Sequence, residues 1–104
     1  MKKYRLKWTG AAKDDLKGIK QYIAQFAPRV ATSYVRRIRE RCLKLTTLPF
    51  AAPIVEEFQN ERIRETYFGS YRILYQIDKD ALTILRVFHG ARLLTDQELD
   101  DSNN

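Results

Sequence analysis

The sequence predicts an α+β domain: a strand, an antiparallel helical hairpin, then a three-strand antiparallel meander, with the helices packed on one sheet face. Three observations carry this. The stretch from Gly69 to Arg92 reads as strand, turn and strand. Two stripes of apolar residues at helical spacing lie between Thr9 and Leu48 and are separated by Ala27-Pro28. Short segments at 4–8 and 62–67 alternate bulky and polar residues, the period of a half-buried strand.

Tyr4-Arg-Leu-Lys-Trp8 is the first strand, with Tyr4, Leu6 and Trp8 on one face, and it is expected to join the edge of the sheet. Thr9 caps a helix that starts near Gly10, with Asp14 and Asp15 close to its positive end. Ala12, Leu16, Ile19, Ile23 and Phe26 form its apolar side, and Ala27-Pro28 stops it. A second helix from Pro28 places Ala31, Tyr34, Val35, Ile38, Cys42, Leu45 and Leu48 along one stripe until Pro49. So short a joint makes the two helices an antiparallel hairpin. Residues 49–60 contain two prolines and Glu56-Glu57, the composition of an irregular surface connection.

Arg62–Tyr67 is the next strand, joined through Phe68-Gly69-Ser70 to the hairpin of Tyr71–Ile77 and Leu82–Phe88. With Lys79-Asp80 as a two-residue turn, Tyr71 falls opposite Phe88, Ile73 opposite Arg86, Tyr75 opposite Ile84 and Ile77 opposite Leu82 on the core face. The other face then carries Arg72 opposite Val87, Leu74 opposite Leu85 and Gln76 opposite Thr83. His89 lies diagonal to Arg72, at roughly 7 Å between backbones. On this register Arg72 and His89 share a partly open surface, and Arg86 snorkels from the core face at the sheet edge.

The 104 residues suffice for one domain with one core, assigned to 1–94. The net charge of +6 is unevenly spread: the acidic tail 95–104 holds four acids and no base, leaving +10 on residues 1–94. Such a field favours encounter with polyanions or an acidic protein. The exposed side of the second helix concentrates it in Arg36, Arg37, Arg39, Arg41 and Lys44, with Glu40 the only acid between them. The single cysteine, Cys42, permits neither an internal disulfide nor a metal cluster and is read as a small buried hydrophobe. Neither a metal nor a cofactor is expected. With no long apolar run and no signal-peptide pattern, the expected location is cytoplasmic, away from membranes.

The element order, the strand Tyr71-Arg72-Ile73-Leu74-Tyr75 and the ending His89-Gly90-Ala91-Arg92 together resemble the RelE/ParE superfamily of toxins from bacterial type II toxin-antitoxin systems. The resemblance spans nearly the whole chain and is nearer the ParE branch. It implies growth inhibition through DNA gyrase, in systems of the plasmid-stabilisation kind, and neutralisation by a cognate acidic antitoxin. Arg72, His89, Arg92 and Arg86 are then the target-binding residues. Leu74, Leu85 and Val87, rimmed by Arg72, are the antitoxin-binding surface, in a homodimer or a toxin-antitoxin hetero-oligomer.

The alternative is a RelE/YoeB-like, metal-independent endoribonuclease that cuts messenger RNA on the ribosome. That chemistry needs a base for the 2′-hydroxyl, a cation for the phosphate and an acid for the leaving oxygen. By resemblance these are Glu57 or Glu56, Arg72 and His89. The RelE lysine pair is absent, since Arg62, Arg64 and Glu65 occupy its stretch, and Leu93-Leu94-Thr95 replaces its terminal tyrosine. A further alternative is an inactive relative or a basic DNA-binding protein. Sequence-specific DNA reading is disfavoured because Val35, Ile38, Cys42 and Leu45 belong to the core and no separate recognition helix is placed. Plainer roles also exist: Arg72 pairing with an antitoxin acid, His89 capping a strand end, and Arg92 holding the acidic tail.

Overall fold

The structure is a computed structural model that describes residues 3–90. Arg92 and the tail 95–104 lie outside the described residues. Strand β1 (Arg5–Trp8) is followed by helices α1 (Gly10–Ala24) and α2 (Pro28–Leu45), a short 3-10 turn at Pro49–Ala51, and strands β2 (Ile63–Phe68), β3 (Tyr71–Ile77) and β4 (Ala81–His89). The sheet order is β1-β4-β3-β2, with β1 parallel to β4 and the other pairs antiparallel. The predicted α+β architecture is the one observed.

Local chemistry accounts for the boundaries. The Thr9 hydroxyl accepts the Ala12 N–H at 3.0 Å, an N-cap worth about 1 kcal/mol. Pro28 opens α2, where its missing N–H costs nothing. Gly69 turns β2 into β3 with φ of +57°, and a Cβ there would sit 2.5 Å from the Tyr34 hydroxyl. Phe26 and Leu48 do not join the core. They follow the last turns of α1 and α2, off the helical stripes, and are 75% and 66% exposed.

The helices bury Ala12, Leu16, Ile19, Val35, Ile38 and Cys42 against Ile73, Tyr75, Ile77, Leu82, Ile84 and Val87. Each large aliphatic chain so buried contributes about 1.5–3 kcal/mol. Tyr75 is fully buried in this core, its hydroxyl donating to the Pro49 carbonyl at 2.7 Å. Burial pushes the Cys42 thiol up to about 12, so the group is inert at neutral pH. The native protein at pH 8 is expected to leave Cys42 unmodified by a thiol-specific disulfide reagent, whereas the urea-unfolded chain reacts completely. Prompt reaction of the native protein would show an accessible thiol.

Two features correct the sequence reading. First, the hairpin register holds only near the turn, where Ile77 pairs with Leu82, Gln76 with Thr83 and Tyr75 with Ile84. A bulge then inserts Leu85, so that Leu74 pairs with Arg86, Ile73 with Val87, Arg72 with Phe88 and Tyr71 with His89. Because side chains alternate, this one-residue shift sends Val87 into the helix-side core and Phe88 to the opposite face.

Second, that opposite face is covered. The segment after the 3-10 turn folds back along β2, through an isolated bridge between Ile54 and Arg64 and bonds from Val55 N–H to Ile63 O and from Glu65 N–H to Pro53 O. It lays Val55 and Phe58 on Ile63, Leu74, Leu85 and Phe88, making a second, smaller core. The Arg64 guanidinium fastens the segment, donating to the carbonyls of Phe50 and Ala52. No helix among the described residues is long and apolar enough to cross a membrane.

Candidate functional site

Arg72 stands beside Leu74 on the face that residues 53–60 cover, and is 7% exposed. Its Nε donates to a Glu65 oxygen on the neighbouring strand, and its two terminal nitrogens donate to the two Glu57 oxygens at 3.1 and 3.0 Å. The strand thus holds Glu57, and with it the covering segment, through a bidentate fork. Counted by formal charge, one guanidinium is matched by two carboxylates. No positive charge is left over for a phosphate.

The same contact bears on Glu57. Hydrogen bonding from Arg72 holds its carboxyl below the usual value of 4.5, against a smaller upward push from burial. A carboxylate made harder to protonate is a poorer general base. Glu56, the other candidate, is exposed and lines a shallow recess with Ile54, Gln59 and Glu61.

His89 is on the other side. The bulge sets it opposite Tyr71, and their rings meet edge-on with centroids 6.1 Å apart. Tyr71 in turn meets Tyr34 at 5.9 Å, and Tyr34 meets Phe68 at 5.1 Å, so His89 ends an aromatic row on the helix side of the sheet. Arg72 and His89 therefore do not share a surface, as the unshifted register had them do. The structure brings Arg72 and Glu57 together and leaves His89 apart from both.

Arg86 does not snorkel. Its Nε and one terminal nitrogen donate to the two oxygens of Asp15 on α1, at 2.8 and 3.0 Å, and both side chains are 14% exposed. Asp15 also accepts the Val87 N–H at 2.9 Å. Asp15 is not among the sequence candidates, yet the sequence carries a signal for its role. Positions 12, 15, 16 and 19 share one helical face, so an acid stands in an apolar stripe while an arginine stands on the predicted core face of a strand. Two misplaced charges of opposite sign are each other's natural partners.

Leu74 and Leu85 are fully buried and Val87 is 1% exposed. The expectation of an open face formed by these residues is corrected: residues 53–60 occupy it, and Val87 points into the helix-side core because of the bulge. Arg92, the remaining target-binding residue, lies outside the described residues. Among the described residues no group of three or more His, Cys, Asp or Glu side chains is placed to hold a metal ion.

A mixed four-strand sheet with a helical hairpin on one face is the architecture of RelE/ParE-type toxins. Residues 6–94 match the family described as the ParE toxin of the type II toxin-antitoxin system parDE, and the chain belongs to that family. Among solved structures it is similar to the chromosomal ParDE toxin-antitoxin system of P. aeruginosa, with a TM-score of 0.71 and 20% identity over 83% of this chain and 95% of that one. It is also similar to the RelBE2 toxin-antitoxin complex of Mycobacterium tuberculosis, with a TM-score of 0.57 and 27% identity over 88% and 97% of the two chains. No curated protein matches the sequence.

Proposed function

We propose that this protein is a ParE-type toxin that inhibits DNA gyrase and is held inactive by a cognate antitoxin in a toxin-antitoxin hetero-oligomer in the cytoplasm. The observation that carries the choice of target is the Arg72 clamp. Cleavage of RNA at a 2′-hydroxyl needs a cation open to the phosphate, a base able to take a proton and an acid within reach. Here Arg72 is buried between two carboxylates, Glu57 is held ionised by it, and His89 lies on the other face. The family match points the same way.

The likeness to a RelBE complex favours ribosome-dependent messenger RNA cleavage as the second reading. One assay separates the two. Purified protein is added to gyrase, ATP and relaxed plasmid, and in parallel to translating ribosomes. Lost supercoiling together with protein-linked broken DNA is the expected result. Unaffected gyrase alongside cut messenger RNA would overturn the proposal and return Arg72, Glu57 and His89 to a catalytic role.

A further inference from the structure

The outward side of α2 carries a feature that neither core nor either ion-pair clamp uses. Arg37, Arg41 and Lys44 stand at i, i+4 and i+7, one strip on an α-helix, and all three are exposed. Among the described residues none of them forms an ion pair. With Phe68 and Glu40 they line a cleft of about 210 Å³. The Arg37 and Arg41 guanidiniums lie 5.3 and 6.0 Å from the centre of the Phe68 ring, which is itself packed edge-on against Tyr34. Arg41 also donates to the Thr66 hydroxyl at 3.5 Å.

This arrangement does two things. Contact with a ring that is itself fixed restricts two long side chains in advance, so less rotamer freedom remains to be lost on binding. It also places both guanidiniums against the one aromatic ring of the strip. The Phe68 ring is already engaged by Tyr34 and by the two guanidiniums, which leaves the strip mainly cationic and with little apolar surface to anchor a protein partner. A phosphate backbone needs only cations at suitable spacing. At 1.5 Å per residue the strip is about 10.5 Å long, about three base-pair rises of roughly 3.4 Å along a duplex axis, a length over which one strand carries enough phosphates to meet all three cations.

We propose that Arg37, Arg41 and Lys44 form a contact strip for the phosphate backbone of duplex DNA, independent of base sequence, with Phe68 as the ring that sets the two guanidiniums. The bases are not read, because Val35, Ile38 and Cys42 on the same helix are buried in the core. The proposal goes beyond gyrase inhibition and stands apart from it, since the strip meets DNA whether or not gyrase is present.

The test is fluorescence anisotropy of a labelled 20-base-pair duplex titrated with the full-length protein between 50 and 200 mM KCl. Three phosphate contacts predict a slope of log K against log salt near about −2.7. The double variant Arg37→Gln/Arg41→Gln is expected to lower its magnitude by about 1.8. Glutamine is nearly as good a helix former as arginine, and an unchanged circular dichroism spectrum confirms the fold. Arg36→Gln/Arg39→Gln removes the same charge from exposed positions that line the groove between the helices, and is expected to keep the wild-type slope. The proposal is overturned by no binding at 50 mM KCl, by equal loss in both double variants, or by tighter binding of a single-stranded RNA of the same length.

Discussion

Asp15→Ala is expected to destabilise the folded protein by about 3–5 kcal/mol, the cost of breaking a buried ion pair by removing one partner. The carboxylate accepts two bonds from Arg86 and one from the Val87 N–H, so its removal takes away three hydrogen bonds at a site where both side chains are only 14% exposed. Helix propensity alone predicts the opposite sign, a gain of roughly 0.5 kcal/mol for alanine over aspartate inside a helix. The sign therefore decides between the two effects. Urea unfolding followed by Trp8 fluorescence measures it. A markedly lower midpoint at unchanged slope is expected, with Asp15→Asn intermediate because it keeps one oxygen acceptor. An unchanged or raised midpoint would mean that the pair adds nothing to stability. Against a typical total of about 5–15 kcal/mol, the expected loss brings the protein close to unfolding.

Arg72→Ala is expected to cost about 3 kcal/mol, toward the lower end for a buried pair because the Glu57 carboxylate is 40% exposed while Arg72 and Glu65 are 8% and 15% exposed. Arg72→Lys recovers only part of this, since an ammonium does not reproduce the fork that spans both Glu57 oxygens. Glu57→Gln costs less, about 1 kcal/mol, because its other side faces water. The clamp also has a pH signature. Glu57 has a folded pKa below its ordinary value of 4.5, so its contribution is fully present above about 4.5 and is lost as pH falls through the lower folded value. Unfolding midpoints measured from pH 6 to pH 3 should therefore fall more steeply for the wild type than for Arg72→Ala or Glu57→Gln. Equal pH dependence in all three would show that the clamp does not couple residues 53–60 to the sheet. Under the gyrase reading Glu57→Gln keeps its inhibitory activity, whereas under the ribonuclease reading it loses its base.

Most of the architecture was legible because it rests on local rules. Thr9, Pro28 and Gly69 mark their boundaries through capping, missing-donor and positive-φ chemistry, and each acts where it was expected to. The apolar stripes of α1 and α2 and the alternation in β3 identify the main core down to Leu16, Ile38 and Tyr75. The candidate site was less legible. Arg72 lies on the sheet face away from the helices, as the alternation along β3 predicts. Its partners Glu57 and Glu65 come from two other segments, and nothing in their spacing to Arg72 shows that they close around it.

What the sequence by itself determined, then, is the order of elements, the helix-side core and the family. Those follow from the period of apolar residues and from a few backbone-specific residues. Tertiary structure alone decided the register beyond Ile84, and with it which face each functional candidate occupies. The bulge at Leu85 has no turn residue to announce it. It is held by groups from α1 and its cap: the Thr9 N–H donates to the Ile84 carbonyl, the Thr9 hydroxyl to the Leu85 carbonyl, and Asp15 takes the Val87 N–H together with Arg86. Those partners are more than seventy positions away in the chain, so no local pattern carries the information. Only once the helix docks are the strand's irregular backbone groups satisfied, and only then does His89 part from Arg72.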